Sequence, residues 1–437
     1  MAGLKVAVIG GGSTGSAIVH DLASRGIDVT LIERGLIGGG TSGKFHGLLH
    51  SGARYAMNDP KAAEESIIDN KVISEIAPHC VEDTGGVFVA LKGDDQSFAD
   101  KFYTSCRNAG IPVESMPVET LIQEEPFINK DVSVAFSVPD KVINSFRFIT
   151  SLLLTAKSEG AKIMLGREVV DFEREGKDVT GVKIKDNLTG KISTLKFDLI
   201  VNASGAWAGR LLREHLNIDS IKMVLSAGTM AVVSRRFARR VLNRLRLPSD
   251  GDIIVPYFNE SIIGTTSFIV DDPDNFDIDR DDIDFLLNEG AKLVPAVKSY
   301  GISRYYAGVR PLIAADEGSS GDSRSISRDF RIFDHEKTDD TPGIMTIVGG
   351  KLSTARLMGK QISDFVCSKL GIKEQSKTDK IKLLWPDLSK ENLSELSKSL
   401  SIPEQFLREI AFEINSTTYE DIYSPVEDLI VSRKLFI

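Results

Sequence analysis

The stretch KVAVIGGGSTGSAIVHDLASRGIDVTLIER, residues 5–34, constrains the fold more than any other. Lys5 to Ile9 is a short run rich in Val and Ile, as expected of a parallel strand buried on both faces. Gly10, Gly12 and Gly15 fit G-x-G-x-x-G, and Ala17, Ile18 and Leu22 then recur at helical spacing until Gly26 stops the helix. Asp28 to Glu33 reads as a second strand that closes on an acid, eighteen residues past Gly15. Each part has a physical task. Gly10 makes the tight turn, Gly12 leaves room for a pyrophosphate, and Gly15 lets helix and strand pack. The helix N-terminus attracts phosphate, and Glu33, with Arg34 beside it, meets the ribose hydroxyls. A lone glycine motif says little; strand, turn, helix, strand and acid in register predict a dinucleotide site.

The next segment, GGGTSGKFHGLLHSGARY (residues 38–55), favours FAD over NAD. An extended FAD needs more main-chain donors along its ribityl chain, and glycine lets backbone approach closely. Thr41, Ser42 and His46 are candidate cofactor contacts there, while Arg54-Tyr55 adds anion-binding chemistry. Two later segments have the same character. DLIVNASGAW (residues 198–207) is a strand ending in small residues, with Ala203 and Gly205 able to pass under a flavin. MTIVGGKLSTAR (residues 345–356) is strand, Gly-Gly and helix start, placing Gly350, Leu352 and Ser353 beside the cofactor and Lys351 at the turn.

Composition excludes several classes. The net charge is −9, which gives nucleic-acid binding no electrostatic support. Three cysteines without C-x-x-C leave no zinc ribbon or cysteine-held iron–sulfur cluster, and no metal is expected. Val6 to Ile9 is too short for a signal peptide, and no apolar run is long enough to cross a membrane.

The predicted fold is α/β. A discontinuous Rossmann-like FAD-binding domain occupies residues 1–80, 141–219 and 311–372. A mostly antiparallel β-sheet substrate domain takes 81–140 and 220–310, and a small helical C-terminal region follows over 373–437. Eight Asp within residues 271–284 predict a solvated loop running into a helix capped by one of them. RRFARRVLNRLR, residues 235–246, has the spacing of a basic amphipathic helix and is a candidate lipid contact.

Taken together, GGGSTG, TSGKFHGLLHSGARYA, PSDGDIIVP, IIGTT, YAGVRPL, SRDF and GGKLSTAR resemble the FAD-dependent glycerol-3-phosphate dehydrogenases of the D-amino-acid-oxidase superfamily. The likeness is greatest to the catalytic A subunit of the anaerobic bacterial enzyme and runs to about residue 371. It implies oxidation of sn-glycerol 3-phosphate to dihydroxyacetone phosphate, with hydride passing to flavin N5 and electrons onward to quinone or a membrane-linked acceptor. It also implies that Arg54, Tyr55, Arg310, Arg328 and Lys351 hold the small phosphorylated substrate. Arg310 and Lys351 would lie by the reacting carbon. His50 is the best-placed imidazole to take the C2 hydroxyl proton, with His46 second.

The chain departs from those relatives in two ways. It lacks the cysteine-rich C-terminal region of the anaerobic A subunits, so no iron–sulfur centre is expected to carry electrons here. It also has SAGTMAVV over residues 226–233, where the aerobic enzymes carry a substrate-side His. The expected setting is cytoplasmic, or peripheral on the cytoplasmic side of the membrane through an anchor or electron-transfer partner; a homodimer is compatible. The alternatives are a related flavoenzyme oxidising a 2-hydroxy acid such as L-2-hydroxyglutarate, and a glycerophosphate oxidase using oxygen.

Overall fold

The computed structural model describes residues 3–95, 97–314 and 329–385, with residues 394, 397 and 398. A six-stranded sheet has the order Phe330–Asp334, Ile344–Gly349, Leu199–Asn202, Lys5–Ile9, Asp28–Glu33, Lys162–Leu165. All its pairings are parallel except that of the edge strand Phe330–Asp334. Val6, Val8, Val29, Leu31 and Val201 are fully buried in it, as strands covered on both faces require. The helices Ser13–Ser24, Ser145–Ser158 and Ala355–Leu370 cover one face; the helix Ala208–Leu216 and the three-stranded meander of residues 167–196 cover the other. The helix Ser145–Ser158 is capped by the Asn144 side chain, which accepts from Arg147 N at 3.0 Å.

The four parallel strands Lys5–Ile9, Asp28–Glu33, Leu199–Asn202 and Ile344–Gly349 end at one edge of this sheet. Gly10, Arg34, Ala203 and Gly350 therefore emerge side by side, where ligands of such sheets bind. Glycine is required at this edge. A Cβ on Gly15 would lie 1.9 Å from the Gly10 carbonyl oxygen, and one on Gly10 would lie 2.7 Å from that of Ala203.

A second sheet of nine strands draws on residues 86–138 and 223–313. Its pairings are antiparallel except that of Val241–Arg244 with Gly86–Leu91. Its longest strand, Met223–Val233, pairs along its length with Arg304–Ile313, so Ser226 faces Arg310 and Gly228 faces Gly308. The helix Arg280–Leu293 packs on one face, and Asp279 caps it by accepting from Asp281 N.

The basic run 235–246 corrects a sequence expectation. It forms no helix: it bends irregularly and then enters the sheet interior as the strand Val241–Arg244, every residue of which is buried. Several of its charges are met by acids, Arg236 by Glu82, Arg240 by Glu124, Arg244 by Asp94, and Arg246 by Asp252 and Glu289, while Arg235 lies against the rings of Phe127, Phe237 and Tyr300. A lipid-facing amphipathic helix is thus not what this segment provides. After Gly371, residues 373–385 run without helix over the first sheet's helices. Leu383 N donates to Ile76 O at 2.8 Å, and Trp385 stacks on His79 with ring centres 5.6 Å apart. Residues 394, 397 and 398 are helical, and the rest of the expected helical tail lies outside the described residues, as does Arg328. Among the described residues, no helix is long and apolar enough to cross a membrane.

Candidate active site

One cavity of about 1310 Å³ joins the carboxyl edge of the first sheet to the inner face of the second. Gly10, Gly12, Glu33 and Arg34 line one end; His50, Arg54, Tyr55, Arg310 and Lys351 line the other; Thr41, Ser42 and His46 lie along it. This exceeds the roughly 300–1,000 Å³ of ordinary small-molecule pockets and leaves room for an extended dinucleotide with a small substrate.

The dinucleotide end is built mainly from backbone. The two oxygens of Glu33 accept from Gly11 N and Gly35 N, each at 2.7 Å, which fixes the carboxylate while leaving lone pairs for hydroxyls. Ser42 Oγ accepts from Ser13 N at 3.0 Å, fastening the glycine loop to the helix start. A Cβ on Gly12 would lie 3.2 Å from that same Oγ. Ala203, Gly205, Gly350, Leu352 and Ser353 also line the cavity. Ser353 Oγ is buried with no hydrogen-bond partner among the described residues, which is the condition expected of a donor awaiting a ligand. Glycine cradle, anchored acid and orphaned hydroxyl together fit FAD.

The loop then crosses to the second sheet. Thr41 Oγ1 donates to Val309 O at 2.5 Å, and Tyr306 OH donates to Phe45 O at 2.9 Å. Gly308 permits this, since a Cβ there would lie 2.2 Å from Lys44 O. Its cross-strand partner Gly228 gives equal room on the substrate side: a Cβ would sit 2.2 Å from Arg310 Nη2. Arg310 therefore lies flat against the strand. Its Nη2 donates to Thr265 Oγ1 at 2.6 Å and its Nη1 to Ala227 O at 3.3 Å. The stretch 226–233, which holds no His, thus contributes a glycine that accommodates this guanidinium.

Arg54 is held differently. It donates to Asp252 Oδ2 and to Asn243 Oδ1, each at 3.0 Å. Asp252 is buried and also pairs with Arg246. Asn243 in turn donates to Asp140 Oδ2 at 3.4 Å, and Asp140 accepts from Ser51 N at 2.7 Å, so one buried network reaches the residue next to His50. Lys351 Nζ lies 4.5 Å from the centre of the Tyr55 ring and donates to Ala62 O.

His46 and His50 are edge-on neighbours with ring centres 5.7 Å apart. Burial, then the charges of Arg310 and Arg54, push the His46 pKa down to about 3. His46 Nδ1 accepts from Leu48 N at 3.2 Å, which leaves the proton on Nε2. Burial, His46, Lys351 and Arg54 hold His50 well below 6.5. Both imidazoles are neutral at neutral pH, so His50 is in the form that can accept a proton.

Sequence reasoning assembled His50, Arg54, Tyr55, Arg310 and Lys351, which the fold brings into one cavity. It missed Asp252, Asn243 and Asp140 behind Arg54. It also missed Gly228, which lies in the middle of the strand Met223–Val233. Arg356, in the quoted GGKLSTAR, is instead structural: it forms a buried ion pair with Asp69.

Comparison with known proteins gives the same picture. The FAD dependent oxidoreductase family (DAO) matches residues 5–364. The chain is 42% identical over 368 residues to the A subunit of anaerobic glycerol-3-phosphate dehydrogenase from Escherichia coli (strain K12), covering 84% of this chain and 67% of that protein. It is 40% identical over 383 residues to the A1 subunit of the same enzyme from Haloferax volcanii, covering 86% and 65%. The chain thus spans about two thirds of the length of these curated relatives. Among solved structures, the FAD complex of glycerol-3-phosphate dehydrogenase from Bacillus halodurans shares the fold with a TM-score of 0.70 at 23% identity, over 100% of this chain and 84% of that one. L-alpha-glycerophosphate oxidase from Mycoplasma pneumoniae with FAD bound does so with a TM-score of 0.70 at 18% identity, over 88% of this chain and 100% of that one.

Proposed function

From the premise that the chain belongs to the family of FAD-dependent oxidoreductases, we propose that it oxidises sn-glycerol 3-phosphate to dihydroxyacetone phosphate. The observation that carries this reading is that Arg54, Arg310 and Lys351 line the same end of the cavity as the neutral His50 imidazole, with the neutral His46 ring beside it. A phosphate dianion in a concave site needs fixed cations, and guanidinium groups bind its oxygens in a bidentate manner. FAD, when bound, supplies the two-electron acceptor. Arg310 and Lys351 orient the substrate, with Lys351 kept in place by the Tyr55 face and Ala62 O. His50 takes the C2 hydroxyl proton as that carbon is oxidised, and bound phosphate eases this by offsetting the cations that depress the imidazole. Arg328 is proposed as a further phosphate contact on the strength of SRDF alone.

That the relatives are named as A subunits supports the existence of partner subunits, and we propose that one of them receives the electrons and passes them to quinone at the membrane. The test is anaerobic titration of the yellow holoenzyme. We expect sn-glycerol 3-phosphate to bleach the flavin band; bleaching by L-2-hydroxyglutarate instead, or by neither, discards the assignment.

A further inference from the structure

The acidic loop of residues 271–279 extends from the second sheet to the cofactor end of the cavity, where Pro273, Asp274, Phe276 and Ile278 form part of the lining. Asp274 accepts from three donors that follow strands of the first sheet: Arg34 Nη2 at 2.8 Å, Trp207 Nε1 at 2.8 Å, and Arg210 Nη2 from the helix Ala208–Leu216. Asp272 adds a pair to Arg210 at 3.1 Å and also accepts from Asp274 N, which shapes the loop. Trp207 is enclosed on two sides. The Arg34 guanidinium lies 4.4 Å from its ring centre, and a Cβ on Gly40 would lie 3.0 Å from its edge. Phe276 seats the loop in an apolar cluster with Trp207 and Phe268. Burial works to raise the Asp274 carboxyl, but its three donors outweigh that and hold it at about 2, so it is charged at every pH at which the protein is handled.

We infer that Asp274 is a cofactor-retaining residue, by which the second sheet's loop fastens the adenosine half of FAD into the cleft beside Glu33. Arg34 and Trp207 line this end of the cavity, and one carboxylate from the opposite sheet ties both. On this inference, FAD leaves this end only when that tie is loosened. The pairs are half-exposed, so each is individually weak and screened by salt; three donors on one carboxylate, with an aromatic packed beneath, act together.

The test is the rate of FAD release from holoenzyme, followed as the rise in free-flavin fluorescence after dilution, with no substrate present. Asp274→Ala is expected to release FAD about tenfold faster, the scale expected when a few weak interactions are removed together. Asp274→Asn, which keeps an acceptor without the charge, should fall between. Wild-type release should quicken with ionic strength more steeply than that of Asp274→Ala. Release at the wild-type rate in Asp274→Ala, or slower release, overturns the inference. Equal melting temperatures of the apoproteins would show that a faster release is not general unfolding. Because no substrate enters the measurement, its outcome is independent of the proposed reaction.

Discussion

The two ends of the cavity are built from different materials. At the cofactor end, shape comes from backbone: Gly10, Gly12 and Gly15 remove atoms, and Glu33 is clamped by two amide N–H groups. At the substrate end, shape comes from long side chains brought together from both sheets, each fixed by contacts remote in sequence: Arg54 by Asp252, Arg310 by Thr265, Lys351 by Ala62. The first end tolerates almost no change at a position. The second is adjustable, since its charges depend on partners that can be altered separately. Ground shared through family is thus expected at the cofactor end, and choice of substrate at the other.

Four substitutions test this difference. Gly15→Val puts carbon where the Gly10 carbonyl oxygen lies, with its Cβ 1.9 Å away. We expect loss of FAD binding on the order of hundredfold or more and a colourless purified protein; yellow protein with ordinary FAD affinity would show that the turn can relax. Arg310→Ala removes a guanidinium that packs into space made by Gly228. It should lower kcat/KM on the order of hundredfold while leaving FAD content unchanged, as judged by steady-state kinetics beside the absorbance ratio.

His50→Asn should slow flavin reduction at least about tenfold in stopped flow, in keeping with loss of a general base. The pH profile sharpens this. Burial is the first cause of the low His50 pKa, and a substrate filling the cavity brings no water to relieve it. The imidazole therefore stays neutral above pH 6.5, and protonation removes it as an acceptor only at lower pH. The rate of flavin reduction at saturating substrate should be flat above that point and fall on its acid side, and the variant should lose this acid limb. The smallest effect is expected of Asp252→Asn, which keeps an acceptor for Arg54 but removes its counter-charge. Inorganic phosphate should inhibit this variant a few-fold more tightly, by about 0.5–1 kcal/mol. Weaker inhibition would mean that Asp252 acts chiefly by aiming Arg54.

The same contrast explains what could be read from the sequence. The glycine turn was legible because its requirements are local: strand, turn, helix and acid lie within residues 5–33, and each has a steric reason. Arg54, Tyr55, Arg310 and Lys351 were found through motifs. Their partners were hidden because Asp252 is 198 residues from Arg54 and Thr265 is 45 from Arg310. The segment 235–246 was misread for a related reason. Arg and Leu at helical intervals also suit a buried strand when acids from elsewhere, Asp94 and Glu82 among them, neutralise the arginines. The Asp-rich loop looked merely solvated until Arg34, Trp207 and Arg210 were seen to converge on Asp274.

The first sheet has a consequence for how the chain is made. The strand Lys5–Ile9 pairs with Leu199–Asn202, and the helix that follows it rests on Ala355–Leu370, where a Cβ on Gly359 would come within 2.8 Å of the Ala17 backbone. The phosphate-binding turn leaves the ribosome well before the helix Ala355–Leu370 that braces it. Folding that waits on such distant pairings is slow and leaves apolar surface uncovered meanwhile. Until that helix emerges, the nascent chain carries Val6, Val8 and Ile18 without their final cover, and this cofactor half can close only once it has been made.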